Sequence, residues 1–195
     1  MSARERILAR VRAALEERPR APHPGEFRGL RAIPLPSDPV EAFATLFERS
    51  GGEVVRVADG PAAAAWLRGF AAEYASVAVG ATVPLALLPG DLPSAPPESA
   101  ELGVSMAVGA VAETGSLLLS SADGRRAQLL PPTHVVLAQA ASVHPTLAGA
   151  LRALRTAPPA ALGIHSGPSK SADIGQVLVR GVHGPGRVVA VIIRA

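Results

Sequence analysis

The feature that most constrains this chain is an alternation of capped helix starts and short apolar strands along its first half. Asp38-Pro39-Val40-Glu41 supplies an N-cap, a proline in the first helical turn and an acid at the capping-box position. A helix is expected from there to Arg49, closed by Gly51-Gly52. Glu53–Ala58 reads as a strand, Asp59-Gly60-Pro61 opens a second helix through about Ala72, and Ser76–Gly80 reads as a short strand. Helix and strand signals that alternate in this way favour a mainly parallel sheet flanked by helices, an α/β fold.

Four prolines in residues 89–99 mark a surface loop, and Leu102–Ala112 is ambiguous between helix and strand. Leu117–Ser121 and Ala127–Leu130 flank Asp123-Gly124, a turn signal that predicts a hairpin-like excursion. Val135–Ala138 is expected as a buried strand, Pro145–Leu154 as a helix and Leu162–His165 as a short strand. A helix from Ser171 to about Val179, a turn over Gly181–Gly186 and a last strand at Arg187–Ile193 complete the reading.

The N-terminus is set apart by charge. Residues 1–31 carry eight arginines against four glutamates, whereas the remainder has 11 basic and 12 acidic residues. Ser2-Ala3-Arg4-Glu5 is a capping box, and Ile7, Leu8, Val11 and Leu15 share one face of the helix it starts. A proline-rich stretch, Pro19 to Pro36, follows. The division expected is therefore 1–36 as a helical arm and linker, and 37–195 as a single α/β domain. The arm's apolar stripe docks either on its own domain or on another subunit.

Composition excludes several function classes. The chain has no cysteine, so disulfides, thiolate zinc sites and cysteine-held iron–sulfur clusters are ruled out. Any redox centre must belong to a partner, and no cofactor is expected in this chain. Aromatics are only 3% of residues, too few for the interleaved basic and aromatic surface that binds single-stranded nucleic acid. No apolar run is long enough to cross a membrane and no secretory signal is visible, so a cytoplasmic location is expected. The five histidines, at 23, 134, 144, 165 and 183, show no metal-ligand spacing. No metal site is expected.

Two segments gather polar groups inside small-residue turns. The first is Ala112-Glu113-Thr114-Gly115-Ser116, where a glutamate between apolar runs must be hydrogen-bonded, exposed or protonated. The bland reading, a glutamate that caps neighbouring amides, is the favourite on composition alone. The second comprises Ser166, Gly167, Pro168, Ser169, Lys170, Ser171, Ala172 and Asp173, with Ser171 as the N-cap of the helix expected after it. Free amides, hydroxyls and one ammonium there suit a small carboxylate or phosphate, although Asp173 competes for the same amides. Lys170 is the only lysine among 19 basic residues, either by chance in an arginine-rich chain or because the position needs a compact ammonium. His183, in the turn Gly181-Val182-His183-Gly184-Pro185, is placed where glycines let the imidazole point inward.

AVAETGSLLLSS (110–121), LLPPTHVVL (129–137), SGPSKSADIGQVLVRGVHGPGRVVAVII (166–193) and the MSARERILARVRAAL start resemble the lactate-utilisation protein C family, whose domain is the LUD domain. The resemblance implies a fold like the ribose-phosphate isomerase and CoA-transferase group. It also implies an accessory, cofactor-free role in oxidising L-lactate to pyruvate, beside partner subunits that carry iron–sulfur clusters. It points to Glu113, Thr114, Gly115, Gly167, Pro168, Ser169, Lys170, Asp173, His183, Gly184 and Pro185 as a shared constellation and leaves their chemistry open. Glu113, Lys170 and His183 are the candidate catalytic residues, and Thr114, Gly115, Ser116, Gly167, Pro168, Ser169, Ser171, Asp173 and Gly184 the candidate ligand-binding ones. Ser116 stands where threonine is common in the family, and Gly175 where an acid is usual.

Two other functions compete with the accessory role. One is an enzyme of CoA-transferase or sugar-phosphate isomerase type, with Glu113 as nucleophile or base and Lys170 holding the anion. The other is a scaffold protein that acts through its N-terminal helix.

Overall fold

The computed structural model describes residues 2–16, 36–172 and 178–194. The chain divides into two units, Met1–Pro34 and Leu35–Ala195. In the first, helix α1 spans Ala3–Glu16. Its capping box is closed both ways: Ser2 N donates to Glu5 Oε2 at 2.6 Å, and Glu5 N donates to Ser2 Oγ at 3.2 Å. Ile7, Leu8, Val11 and Leu15 are exposed.

The second unit begins with α2, Pro39–Arg49, whose N-cap Asp38 accepts from the amides of Val40 and Glu41. The Glu41 carboxylate does not close a capping box. It forms a two-pronged ion pair with Arg56 on the next strand, and the guanidinium holds it below the usual carboxylate range. Strand β1 (Glu53–Val57), helix α3 (Gly60–Ala71) and strand β2 (Val77–Val79) follow within a residue or two of the expected ends. The ambiguous segment is a strand, β3, Leu102–Val111. Then come β4 (Ser116–Ser120), α4 (Arg125–Leu129), β5 (Thr133–Gln139), β6 (Val143–His144), α5 (Leu147–Ala153) and β7 (Leu162–His165). The chain ends with β8 (Lys170–Ala172), β9 (Leu178–Arg180) and β10 (Arg187–Ile193).

Among the described residues eight strands form one sheet, with the path β1-β10-β5-β3-β4-β7 and with β2 and β6 also paired to β3. The β1–β10, β10–β5, β5–β3, β2–β3 and β3–β6 pairs are parallel. Strand β10 is an interior strand between β1 and β5, and its run Val188–Ile193 is buried on both faces, as an unbroken apolar strand requires. One face packs against Phe43 and Phe47 of α2, which stack with ring centroids 5.3 Å apart. The other packs against Ala63, Leu67 and Ala71 of α3. This is the α/β arrangement with a mainly parallel sheet that the sequence predicts.

Two expectations are corrected. The hairpin does not turn at Asp123-Gly124; β3 and β4 pair antiparallel around the Ala112–Gly115 turn, and Arg125–Leu129 is a helix. Gly124, at φ +96°, turns the chain into α4 instead of back onto a strand. Nor does a helix run from Ser171 to Val179. Ser171 pairs with Val179 and Lys170 with Arg180 in an antiparallel pair, and residues 173–177 lie outside the described part.

Candidate functional site

The β3–β4 turn carries the first cluster. Glu113 Oε1 accepts from Leu147 N at 2.6 Å, at the first turn of α5, while the N-cap Thr146 takes the Gly149 amide. The carboxylate thus satisfies an orphan amide at the positive end of a helix. Gly115, at φ +58°, lies against the last turns of α2: a Cβ there would come within 2.6 Å of Phe47 N and 2.7 Å of Leu46 C. Thr114 Oγ1 and Ser116 Oγ are 2.7 Å apart, and Ser116 Oγ lies 2.6 Å from Ser166 Oγ. A chain of three hydroxyls therefore joins the acidic turn to the serine–lysine segment.

That segment follows β7, which pairs antiparallel with β4 and puts His165 opposite Leu117. Gly167, at φ +95°, faces Ser50, whose carbonyl oxygen would lie 3.0 Å from an added Cβ. Lys170 Nζ donates to the same Ser50 carbonyl, just past the end of α2. Gly51 lies beside it, where a Cβ would meet Lys170 Nζ at 3.6 Å and an Arg180 guanidinium nitrogen at 3.7 Å, ordinary contact distances. Ser169 N donates to Pro185 O and Gly181 N to Ser169 O, so this loop is tied to the 181–185 turn. Gly184 lies against Ser169, and Pro168 is buried.

The structure thus brings Thr114, Gly115, Ser116, Gly167, Ser169, Lys170 and Gly184 into one region around the end of α2. The two charged candidates serve opposite helix ends, Glu113 at an N-terminus and Lys170 at a C-terminus, each with the sign that the helix dipole favours. Ser171 is a strand residue and not an N-cap, so the helix-start anion site expected there is not formed by the described residues. Asp173 lies outside them. His183 is exposed. Replacing Glu113 with alanine leaves the Leu147 amide without its partner. The expected loss is about 1 kcal/mol in urea unfolding, and Glu113→Gln should recover most of it.

Sequence reasoning missed a second polar set on the same side of the sheet. A cavity of about 230 Å³ lies between α4 and β7, lined in part by Ser121, Arg125, Gln128 and His165. Burial pushes the His165 pKa down. His134, fully buried on β5, places Nε2 2.9 Å from Ser105 Oγ, while its Nδ1 has no partner. Burial first, and His165 second, push its pKa down to about 3. No spacing signal in the sequence groups these residues, because strand pairing alone assembles them. Among the described residues no cluster of three His, Cys, Asp or Glu could hold a metal ion.

Residues 97–193 match the LUD domain. The chain is similar to Lactate utilization protein C 1 of Bacillus mycoides (strain KBAB4), 33% identical over 104 residues, which cover 49% of this chain and 44% of that one. It is similar to Lactate utilization protein C of Bacillus subtilis (strain 168), 34% identical over 104 residues, covering 49% and 43%. The match thus spans less than half the length of these curated relatives. The fold is similar to the crystal structure of a DUF162 family protein from Deinococcus radiodurans, with a TM-score of 0.63 and 17% sequence identity, covering 82% of this chain and 99% of that chain. On the match over residues 97–193, this part of the chain belongs to the LUD domain family.

Proposed function

We propose that this protein takes part in lactate utilisation, as an accessory subunit without a cofactor of its own in the oxidation of L-lactate to pyruvate. The observation that carries this reading is the chain's likeness to proteins named lactate utilization protein C, together with the LUD domain match over residues 97–193. Lack of cysteine supports a division of labour in which iron–sulfur clusters, and the electrons, stay with partner subunits. A cytoplasmic site of action goes with this reading. Among the described residues no helix is long and apolar enough to cross a membrane.

The alternative, a CoA-transferase or isomerase reaction run by Glu113 and Lys170, has less to support it. Both groups already hold helix ends, and the Glu113 carboxylate would have to leave the Leu147 amide to act as a nucleophile.

The experiment deletes the gene in its native host and measures growth on L-lactate as sole carbon source, with the tagged chain restored for affinity capture. Loss of growth, rescue by the chain and co-capture of iron–sulfur proteins is the expected result. Unimpaired growth of the deletion strain on L-lactate would remove the proposal.

A further inference from the structure

The cavity between α4 and β7 is built from groups of complementary kinds. Arg125 stands at the start of α4, and it has no carboxylate partner among the described residues, whereas its neighbour Arg126 is paired with Glu98. Gln128 is only 2% exposed. Its amide nitrogen donates to Ser120 O at 2.9 Å and lies 3.5 Å from Asp123 Oδ2. Those two acceptors fix which way the amide faces, so Oε1 is the atom that Gln128 has left to offer.

Asp123 is itself clamped. Its Oδ1 accepts from Thr82 N and Thr82 Oγ1 at 3.1 and 2.7 Å, and Gly80 lies so close that a Cβ there would meet the carboxylate at 2.2 Å. Gln128 is therefore held by a rigid, buried support, as the polar groups of a binding site must be. His165 completes the polar wall. Being half-buried with its pKa pushed down, its imidazole is neutral near pH 7 and offers one donor and one acceptor. Gly163 makes room for it: a Cβ at that position would come 2.7 Å from His165 Nε2. Leu119 and Leu129 supply apolar wall.

We propose that this cavity binds a short 2-hydroxycarboxylate, with its carboxylate on Arg125 and its hydroxyl between Gln128 Oε1 and His165. The guanidinium matches a carboxylate in a forked pair. The hydroxyl donates to one acceptor and accepts from one donor, which Gln128 Oε1 and the N–H of a neutral imidazole provide. At about 230 Å³ the cavity is below the roughly 300–1,000 Å³ range of pockets for drug-sized ligands, so it suits a molecule of few heavy atoms. The proposal deepens the lactate reading above, and rests on it for the choice of L-lactate as the probe.

The test is isothermal titration calorimetry of the full chain with L-lactate and with propionate, which has the carboxylate but not the hydroxyl. Saturable binding of one L-lactate per chain is expected, about tenfold or more tighter than propionate. Arg125 is exposed, so Arg125→Gln should keep the unfolding midpoint and lower L-lactate affinity about tenfold or more. Gly163→Ala should do the same by displacing the imidazole. No saturable binding, equal affinity for propionate, or binding that survives both substitutions would overturn the proposal. Growth of the complemented deletion strain on L-lactate is read separately, so an empty pocket and a wrong functional reading give different results.

Discussion

Gly115→Ala lowers the stability of the α/β unit by about 3 kcal/mol. Two costs add. The residue sits at φ +58°, where an L side chain costs about 1–2 kcal/mol. The new methyl would also lie 2.6 Å from Phe47 N and 2.7 Å from Leu46 C. These are backbone atoms of a hydrogen-bonded helix and cannot rotate aside, so overpacking adds about 1–3 kcal/mol. Relief requires α2 to back away from the turn, which draws Phe43 and Phe47 out of their contacts with the sheet. Urea unfolding followed by Trp66 fluorescence, the only tryptophan signal in the chain, measures the loss. Gly69→Ala is the control: it is exposed inside α3 with nothing within 4 Å of the added Cβ, and should be stabilising by about 0.5–1 kcal/mol. A loss at Gly115 no larger than about 0.5 kcal/mol would mean that the end of α2 is not pressed against this turn.

The parts of the fold written in local chemistry were legible. Asp38 and Asp59 both cap the helices they were expected to start, and β10 falls on the run Arg187–Ile193. What failed was local signal outvoted by distant packing. Ala127–Leu130 is four residues of no clear period, and it is helical because it packs over Gly103, where the Ala127 carbonyl would lie 2.4 Å from an added Cβ. Ser171 has the side chain of an N-cap, yet it lies in a strand whose neighbour Lys170 is drawn to the end of α2.

The candidate site divides in the same way. Lys170, the lone lysine, reaches the Ser50 carbonyl at the end of α2, with Gly51 and Arg180 near it. Glu113 follows the bland reading made of it, a carboxylate that caps an amide. Arg125, Gln128 and His165 could not be grouped from sequence, since about 40 residues separate the arginine from the histidine. Pairing of β4 with β7 brings them to one cavity.

His134 makes the stability of this unit fall with acid well before its carboxylates titrate. In the folded chain the pKa of its imidazole is pushed from 6.5 to about 3, because full burial removes the water that a cation needs and His165 adds like charge. The unfolded chain therefore takes up a proton at about pH 6.5 that the native chain refuses until about pH 3. The unfolded state binds more protons throughout that window, so stability declines as pH falls, by about 1.4 kcal/mol per pH unit. Above pH 6.5 both states are neutral at this site and it contributes no slope. His165, also lowered, acts in the same direction. Glu41 and Glu53, lowered by their arginines, lose their contribution only as pH falls below about 4.5, so the interval from about 6.5 to 4.5 isolates the histidines. Over those two units His134 alone should remove about 2–3 kcal/mol. Urea titrations at steps of pH across the interval read the slope in the native protein and in His134→Gln, which cannot take up the proton. The variant is less stable at neutral pH if its amide fits Ser105 poorly, but its slope should drop by about 1.4 kcal/mol per pH unit. An unchanged slope would show that the imidazole is charged in the native chain, and that the space around its unpaired Nδ1 is wet.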